Sequence, residues 1–205
     1  MKSSAFRLLC CDIGGVLGTN GWDTELRNKV CAHFKIAPES IEERHRLMFD
    51  TYERGFMDLE TYLRYVFFEE PRTFSLEELR DYIYAGSQPW PENIAFFSRI
   101  KKINGLKLAL ISNEGQGIAR HRVDAFGLRE LADFLVISHC VHLRKPDRQM
   151  WQLALDLAQV SAAEAIYVDD RAPFVQVAAD WGFAAFQHVS LDATRERFQK
   201  LGLMT

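Results

Sequence analysis

The sequence predicts an α/β protein in which a doubly wound parallel sheet carries a small helical cap domain. Two observations favour this fold class. After residue 91, short apolar runs alternate with amphipathic segments of helical length, a pattern typical of right-handed crossovers and a parallel sheet. Between residues 18 and 90 the chain has helix signals and no buried-strand signal. We therefore expect a core domain made of residues 1–17 and 91–205, and a helical cap domain made of residues 18–90.

The first apolar run predicts a strand that is covered on both faces. It extends from Phe6 to Cys11 and stops at Asp12, which is followed closely by Gly14 and Gly15. In open α/β folds ligands bind at the carboxyl edge of the sheet, where such a strand ends. Asp12 is therefore a candidate functional residue, although a lone carboxylate at this point could equally well only cap a turn.

Three segments of the insert have helix signals. Ser-x-x-Glu patterns at Ser40 and Ser75 predict two capping boxes, each followed by apolar residues on one helical face. Between them, residues 59–68 predict a third helix, bounded by Gly55 and Pro71. The insert is therefore expected to be a small helical unit between the first strand and the second.

The second half of the chain predicts the remaining core elements. Pro91 suits the first turn of a helix, and Asn104-Gly105 suits its end. The strands predicted after it are residues 106–111, 134–137, 165–168 and 184–186, and the helices are residues 117–126, 149–158 and 174–181.

Polar groups stand at the ends of three of these segments. Ser112-Asn113 follows one strand, Lys145 directly precedes Pro146, and Asp169-Asp170 follows another strand. Together with Asp12, in this order and spacing, the set resembles the four motifs of the haloacid dehalogenase-like (HAD) hydrolases, a superfamily made up largely of magnesium-dependent phosphatases. The resemblance extends over nearly the whole chain, because the segments between the motifs also have the lengths that this family uses.

The resemblance implies a HAD-like Rossmann-type core with the active site between core and cap. It implies that Asp12 attacks the phosphoryl group and forms an aspartyl-phosphate intermediate, with Mg2+ as cofactor. Asp12, Asp169 and the Gly14 carbonyl are expected to contact the metal, and Asp170 to act through water or from behind these ligands. By role, the predicted residues are catalytic Asp12, Ser112 and Lys145; phosphate-binding Gly14, Gly15, Ser112, Asn113 and Lys145; and metal-binding Asp12, Gly14, Asp169 and Asp170.

Each of these assignments has a plain structural alternative. Asp169-Asp170 could be a solvated turn ahead of a helix, where negative charge is favourable. Lys145 could be an ordinary surface lysine, and Ser112 could cap a helix. Among basic residues, only Lys145 stands at one of the motifs.

The sequence departs from the family at Gly14. Most phosphatases of the superfamily carry there a second aspartate that protonates the leaving alcohol and then activates water. Such general acid–base help is worth about two to four powers of ten in rate. Either Glu114 or a cap residue replaces it, or the enzyme is slow or favours good leaving groups. Some family members that resemble this sequence in having glycine there are still regarded as phosphatases.

The expected function is hydrolysis of a small phosphorylated metabolite, which the cap would select. Asn20, Trp22 and Arg54 are expected to line the entrance, although Arg54 taken alone could be a solvated charge on a helix end. Among the histidines only His45 is kept as a candidate. Two alternatives stay open: a metal-independent carbon–halogen hydrolase, and a non-enzymatic protein that binds a phosphate ligand on the same fold.

Composition excludes other classes of partner. A net charge of -3, from 25 basic and 28 acidic residues spread along the chain, predicts neither nucleic-acid nor membrane binding. The cysteines have no Cys-x-x-Cys spacing and are expected to be small packing residues in a reducing compartment; they are Cys10, Cys11, Cys31 and Cys140. With no signal-peptide pattern, we expect a cytoplasmic monomer or small homo-oligomer.

Overall fold

The computed structural model describes residues 5–205, which form a five-stranded parallel sheet flanked by helices. The strand order is β3-β2-β1-β4-β5, and every pair is parallel. The strands are β1 (Leu8–Cys11), β2 (Lys107–Ser112), β3 (Phe134–Ile137), β4 (Ala165–Asp169) and β5 (Ala184–Gln187). This arrangement confirms the predicted fold class and places β1, and therefore Asp12, at the centre of the sheet.

Strand β1 is apolar throughout because both faces of the sheet are covered. Leu9 and Cys11 belong to one hydrophobic cluster, and Leu8 and Cys10 belong to the cluster on the opposite face. Successive side chains of a strand point to opposite faces, so each cluster takes every second residue. All four residues are completely buried.

Four helices follow β1 in the sequence, before the chain returns to the core at residue 91: α1 (Thr24–Phe34), α2 (Glu39–Glu53), α3 (Leu59–Phe67) and α4 (Leu76–Ala85). Their apolar faces form a hydrophobic cluster of their own, which contains Tyr52, Tyr62 and Phe67 and reaches the core at Ile118. We call this helical layer the cap.

One of the two predicted capping boxes forms. At Ser75 the side chain accepts from the N–H of Glu78, and the Glu78 carboxylate accepts in return. The prediction at Ser40 is wrong, because α2 already begins at Glu39 and the Ser40 hydroxyl donates to the carbonyl of Ala37 instead.

Within the described part of the chain, seven helices belong to the core: α5 (Pro91–Asn104), α6 (Gln116–Ala125), α7 (Leu128–Leu131), α8 (Ser138–Val141), α9 (Arg148–Ala158), α10 (Ala172–Asp180) and α11 (Leu191–Lys200), with a short 3-10 turn at Ala162–Glu164. Helix α5 starts at Pro91 and ends at Gly105, which adopts a left-handed conformation with φ 64°, as the sequence predicts. None of the helices described in residues 5–205 is long and apolar enough to cross a membrane.

The C-terminal end of α2 is tied to the segment that follows β3. The Ser138 hydroxyl donates to the carbonyl of Glu53 at 2.7 Å, and the Glu53 carboxylate lies 2.6 Å from an Arg144 nitrogen. The His142 ring donates to the carbonyl of Arg54 at 2.7 Å. These contacts fix one end of the cap against the core.

The cysteines divide between core, cap and surface. Cys10, Cys11 and Cys31 are buried, as expected for packing residues, whereas Cys140 is exposed, which contradicts the packing role predicted for it. The reason is its place on α8, a single helical turn whose only fully covered residue is Ser138.

Candidate active site

A cavity of about 300 Å3 lies between the carboxyl edge of the sheet and the cap. Core residues that line it include Asp12, Ser112 and Lys145, and cap residues include Trp22, Arg27 and His45. Asp12, at the end of the central strand, therefore faces a space that is closed on the other side by the cap.

Asp12 is held as an oriented carboxylate in this cavity. It is 7% exposed, its Oδ1 accepts from the N–H of Ile13 at 2.8 Å, and its Oδ2 lies 3.1 Å from Lys145 Nζ. Burial raises the pKa of Asp12, while the Lys145 charge and a hydrogen bond from the Ser112 hydroxyl act in the opposite direction. This arrangement contradicts the reading of Asp12 as a simple turn cap.

Lys145 is 1% exposed, so the reading as a surface lysine is wrong. Its Nζ bridges Asp12 Oδ2 and, at 2.7 Å, Asp169 Oδ2. Burial alone would lower the pKa of Lys145, but the two carboxylates outweigh burial and raise it. The ammonium is therefore charged and balances two buried anions.

Asn113 positions Lys145. Its side-chain oxygen accepts from the Lys145 N–H at 2.7 Å, and its side-chain nitrogen donates to the Lys145 carbonyl at 2.9 Å. Both ends of the amide are thus occupied by the lysine backbone. Ser112, beside it at the end of β2, is 2% exposed and lines the cavity; α6 is capped at Gly115, so the reading of Ser112 as a helix cap is wrong.

Three carboxylates converge beside Lys145. Asp12, Asp169 and Asp170 each offer one oxygen atom, and these atoms lie within 4.8 Å of one another. Such crowding of negative charge is unfavourable without a cation, and hard oxygen donors of this kind suit Mg2+.

The two neighbouring aspartates are bonded differently. Asp169 Oδ2 accepts from Lys145 and from the Tyr167 hydroxyl, and its Oδ1 accepts from the N–H of Arg171 at 2.8 Å. Asp170 Oδ1 is buried and has no hydrogen-bond partner, while its Oδ2 accepts from Asn20 at 3.3 Å. Burial, then the charges of Asp12 and Asp169, raise the pKa of Asp170 to about 6. The free oxygen on Asp170 thus fits a metal ligand.

The two glycines after Asp12, Gly14 and Gly15, are under different structural constraints. Gly15 has φ 66°, and a Cβ there would lie 2.3 Å from Asp170 Oδ2, so only glycine lets this carboxylate approach. The Gly15 N–H donates to the carbonyl of Gly18. Gly14 has no such backbone constraint, but a Cβ there would lie 2.8 Å from Asn20 Oδ1. An aspartate at 14 would therefore displace Asn20.

Glu114, the candidate for the missing acid, lines the cavity and is buried. Its Oε1 lies 2.8 Å from Arg122 Nη1. Burial raises the pKa of Glu114, and the Arg122 charge opposes this shift. Arg122 itself is fully buried in the middle of α6, and sequence reasoning missed it because nothing marks a helical arginine as a cavity residue.

The structure changes the list of basic residues at the site. Arg144 and Arg171, which flank the motif residues Lys145 and Asp170 in sequence, also line the cavity, so Lys145 is not alone there. Arg54 is absent from the lining; its Nε donates to the carbonyl of His142. The expectation for Arg54 is therefore wrong.

The two other cap residues expected at the entrance, Asn20 and Trp22, do line the cavity, and so does His45. The adjacency of Arg144 to Lys145 and of Arg171 to Asp170 is the signal that could have found these two arginines; it does not extend to Arg27 or Arg122.

Solved structures share this fold. A HAD family enzyme of Bacteroides thetaiotaomicron in complex with magnesium and inorganic phosphate is similar with a TM-score of 0.73 and 18% identity, over 89% of this chain and 93% of that chain. A predicted HAD-like family hydrolase of Porphyromonas gingivalis gives a TM-score of 0.71 and 17% identity, over 94% of this chain and 97% of that chain. A defluorinating L-2-haloacid dehalogenase gives 0.60 and 17% identity, over 89% and 82%. These likenesses show the fold alone.

No curated protein matches the sequence. The family model of the haloacid dehalogenase-like hydrolases matches residues 6–182, a stretch that includes the cap and all four motifs. The chain therefore belongs to the haloacid dehalogenase-like hydrolases.

Proposed function

We propose that this protein is a magnesium-dependent phosphatase that hydrolyses a small phosphorylated metabolite through an aspartyl-phosphate on Asp12. One observation carries the proposal: three carboxylates converge beside a buried lysine, and one of them, Asp170, has a buried oxygen without a hydrogen-bond partner. A cation and a phosphate dianion together would satisfy this set of charges.

The reaction would proceed in two displacements at phosphorus. A carboxylate oxygen of Asp12 attacks phosphorus, an O–P bond forms, and the bond to the ester oxygen breaks, so that the leaving group departs and takes a proton to become an alcohol. Water then attacks the aspartyl-phosphate, which releases inorganic phosphate and restores the Asp12 carboxylate. Lys145 holds Asp12 in place in both steps and offsets negative charge.

The chain's own residues fit Mg2+, which when bound would neutralise charge on the phosphoryl oxygens. Asp12, Asp170 and the Gly14 carbonyl are the proposed ligands. Asp169 already accepts three hydrogen bonds, which supports a role in orienting Lys145 rather than in direct coordination. The sequence-based expectation had Asp169 as the direct ligand and Asp170 behind it.

Because position 14 is a glycine, no aspartate stands there to protonate the departing alcohol. Glu114 is the proposed substitute, because it is buried in the cavity wall with a raised pKa and so retains its proton more readily than an exposed glutamate. Its ion pair with Arg122 works against protonation. We therefore expect esters with good leaving groups to react faster than alkyl phosphates.

A carbon–halogen hydrolase is the rival activity, because dehalogenases share the fold. Such an enzyme acts on a carboxylate substrate without a metal, and the cluster of Asp12, Asp169 and Asp170 would repel that substrate. The cluster therefore favours the phosphatase.

The deciding experiment incubates the purified protein with p-nitrophenyl phosphate and with 2-chloropropionate, each with MgCl2 and with EDTA. The expected result is phosphate release that requires magnesium, and no chloride release. Chloride release that EDTA leaves unchanged would establish the dehalogenase instead. No turnover of either compound, together with measurable binding of inorganic phosphate, would point to a non-enzymatic binding protein.

The metal assignment predicts different behaviour for two neighbouring variants. Asp170→Asn should raise the magnesium concentration for half-maximal activity about 10- to 100-fold, because it removes a ligand charge. Asp169→Asn should mainly lower kcat at every magnesium concentration, because it disturbs Lys145. Magnesium titrations with p-nitrophenyl phosphate measure both effects, and an equal or larger shift in Asp169→Asn would reverse the assignment.

A further inference from the structure

Two side chains from different cap helices line the same cavity as Asp12. Arg27 of α1 is 7% exposed and His45 of α2 is 6% exposed, and both line the cavity. The reaction proposed above uses neither of them. Their hydrogen bonding determines what each offers to a ligand.

The tautomer of His45 follows from its neighbours. The Trp22 ring N–H donates to the Tyr62 hydroxyl oxygen at 2.7 Å, and that hydroxyl lies 2.6 Å from His45 Nδ1. The indole can only donate, and within residues 5–205 no other acceptor is bonded to the buried Tyr62 hydroxyl, so its proton is satisfied only when Nδ1 of His45 accepts it. Burial, then the charge of Arg27, lower the pKa of His45 to about 4. At neutral pH the ring is therefore uncharged and carries its proton on Nε2.

The Arg27 guanidinium has an N–H donor without a hydrogen-bond partner. Its Nη1 donates to the Trp22 carbonyl at 3.3 Å and its Nη2 to the Thr24 hydroxyl at 3.2 Å, whereas Nε is buried without a hydrogen-bond partner. The ion pair recorded for it is with Glu42, at 3.7 Å, and that carboxylate is 46% exposed. A guanidinium has five N–H donors, and a buried cation without a close counter-ion is costly.

The acids in the cavity wall are already paired. Glu53 is bound by Arg144 at 2.6 Å, Glu114 by Arg122 at 2.8 Å, and Asp23 accepts from the N–H of Leu26 at 2.8 Å. Within residues 5–205, no side-chain hydrogen bond or ion pair joins Asp23, Glu53 or Glu114 to Arg27 or His45. The cap side of the cavity thus offers donors that lack an acceptor.

We propose, on the basis of the phosphatase function above, that Arg27 and His45 bind a carboxylate on the leaving alcohol, so that the preferred substrates are phosphate esters of small hydroxy acids. A carboxylate has two acceptor oxygens, which a guanidinium fork and one imidazole N–H can share. The cavity of about 300 Å3 limits the substrate to a compact molecule.

Two matched esters test the proposal on the full-length protein with MgCl2. 3-Phosphoglycerate and glycerol 3-phosphate differ only in having a carboxylate or a hydroxymethyl group at the end away from the phosphate. The wild type should hydrolyse 3-phosphoglycerate with a kcat/KM at least about 10-fold higher, because a buried Arg–carboxylate pair is among the stronger polar contacts. Arg27→Met should lower the ratio of the two kcat/KM values to about one.

His45→Phe keeps a ring of similar shape but loses the N–H donor, so it should lower kcat/KM for 3-phosphoglycerate alone, by about threefold to tenfold. Arg46→Met serves as the matched control, because Arg46 is the exposed neighbour of His45 on α2; it should change neither ester.

The outcomes separate this inference from the function on which it rests. Hydrolysis of both esters at equal rates by the wild type would overturn the carboxylate site while leaving the phosphatase intact. Hydrolysis of no phosphate ester would instead overturn the proposed function. If circular dichroism shows that Arg27→Met does not fold, the wild-type preference and the His45→Phe variant decide the question.

Discussion

Asp12→Asn is expected to reduce magnesium-dependent phosphatase turnover by at least about a thousandfold, which corresponds to about 4 kcal/mol of transition-state stabilisation. An amide oxygen carries no full negative charge and is a poor nucleophile toward phosphorus, so the first displacement stops. The variant should fold, because Lys145 keeps Asp169 as a counter-ion at 2.7 Å. Single-turnover assays with p-nitrophenyl phosphate measure the loss.

Asp124→Asn is the matched control for this change. Asp124 is exposed, pairs with Arg129 on the surface of the core and is not among the residues that line the cavity, so its amide variant should retain full activity. Activity near the wild-type level in Asp12→Asn, under conditions where both variants are folded, would rule out Asp12 as the nucleophile.

Lys145→Met is expected to lower the free energy of unfolding by about 3–5 kcal/mol in EDTA, and to abolish most phosphatase activity. Methionine has a similar length and volume but no charge, so Asp12 and Asp169 would be left as buried anions without their shared cation. Denaturant unfolding at pH 7 measures the loss of stability. Lys29→Met is the matched control, since its exposed pair with Glu25 is screened by solvent and should contribute little to the free energy of unfolding.

The pH dependence of the Lys145→Met variant has a defined sign. Burial already raises the pKa of Asp12 above its value in the unfolded chain, and loss of the ammonium raises it further. The native state then binds a proton that the unfolded state does not, so stability should increase as the pH falls from 7 towards 5. A variant as stable as wild type across this range would mean that Lys145 does not balance buried charge.

The core strands could be predicted because their signals are local. Runs of consecutive apolar residues identified β1 and β3 within two residues of their observed bounds, because a strand covered on both faces has no polar face to interrupt the run. Helix α11 was missed for the opposite reason. Its residues are mostly polar, and only Thr194 and Phe198 are buried, so it has almost no apolar periodicity.

Helix α1 was also missed, although Asp23 caps it by accepting from the N–H of Leu26. It has few apolar residues, and these do not form a clear helical pattern in the sequence. Their role in packing is visible only in the structure, where they join apolar residues of α2, α3 and α4 in one hydrophobic cluster. The cavity side chain Arg27 lies on this helix, so the missed helix also concealed a site residue.

The sequence by itself determined the α/β class, the helical insert and the order of the motif residues Asp12, Ser112, Lys145 and Asp169-Asp170, because strand ends in a parallel sheet meet at one edge. Only the tertiary structure decided which hydrogen bonds each of the neighbouring polar side chains makes, and therefore which role each can take. Asp169 is saturated with hydrogen bonds while Asp170 keeps a free oxygen, and Tyr62, on a different helix, sets the tautomer of His45. The physical reason is that hydrogen-bond partners and burial depend on side chains far away in sequence, whose positions no local pattern contains.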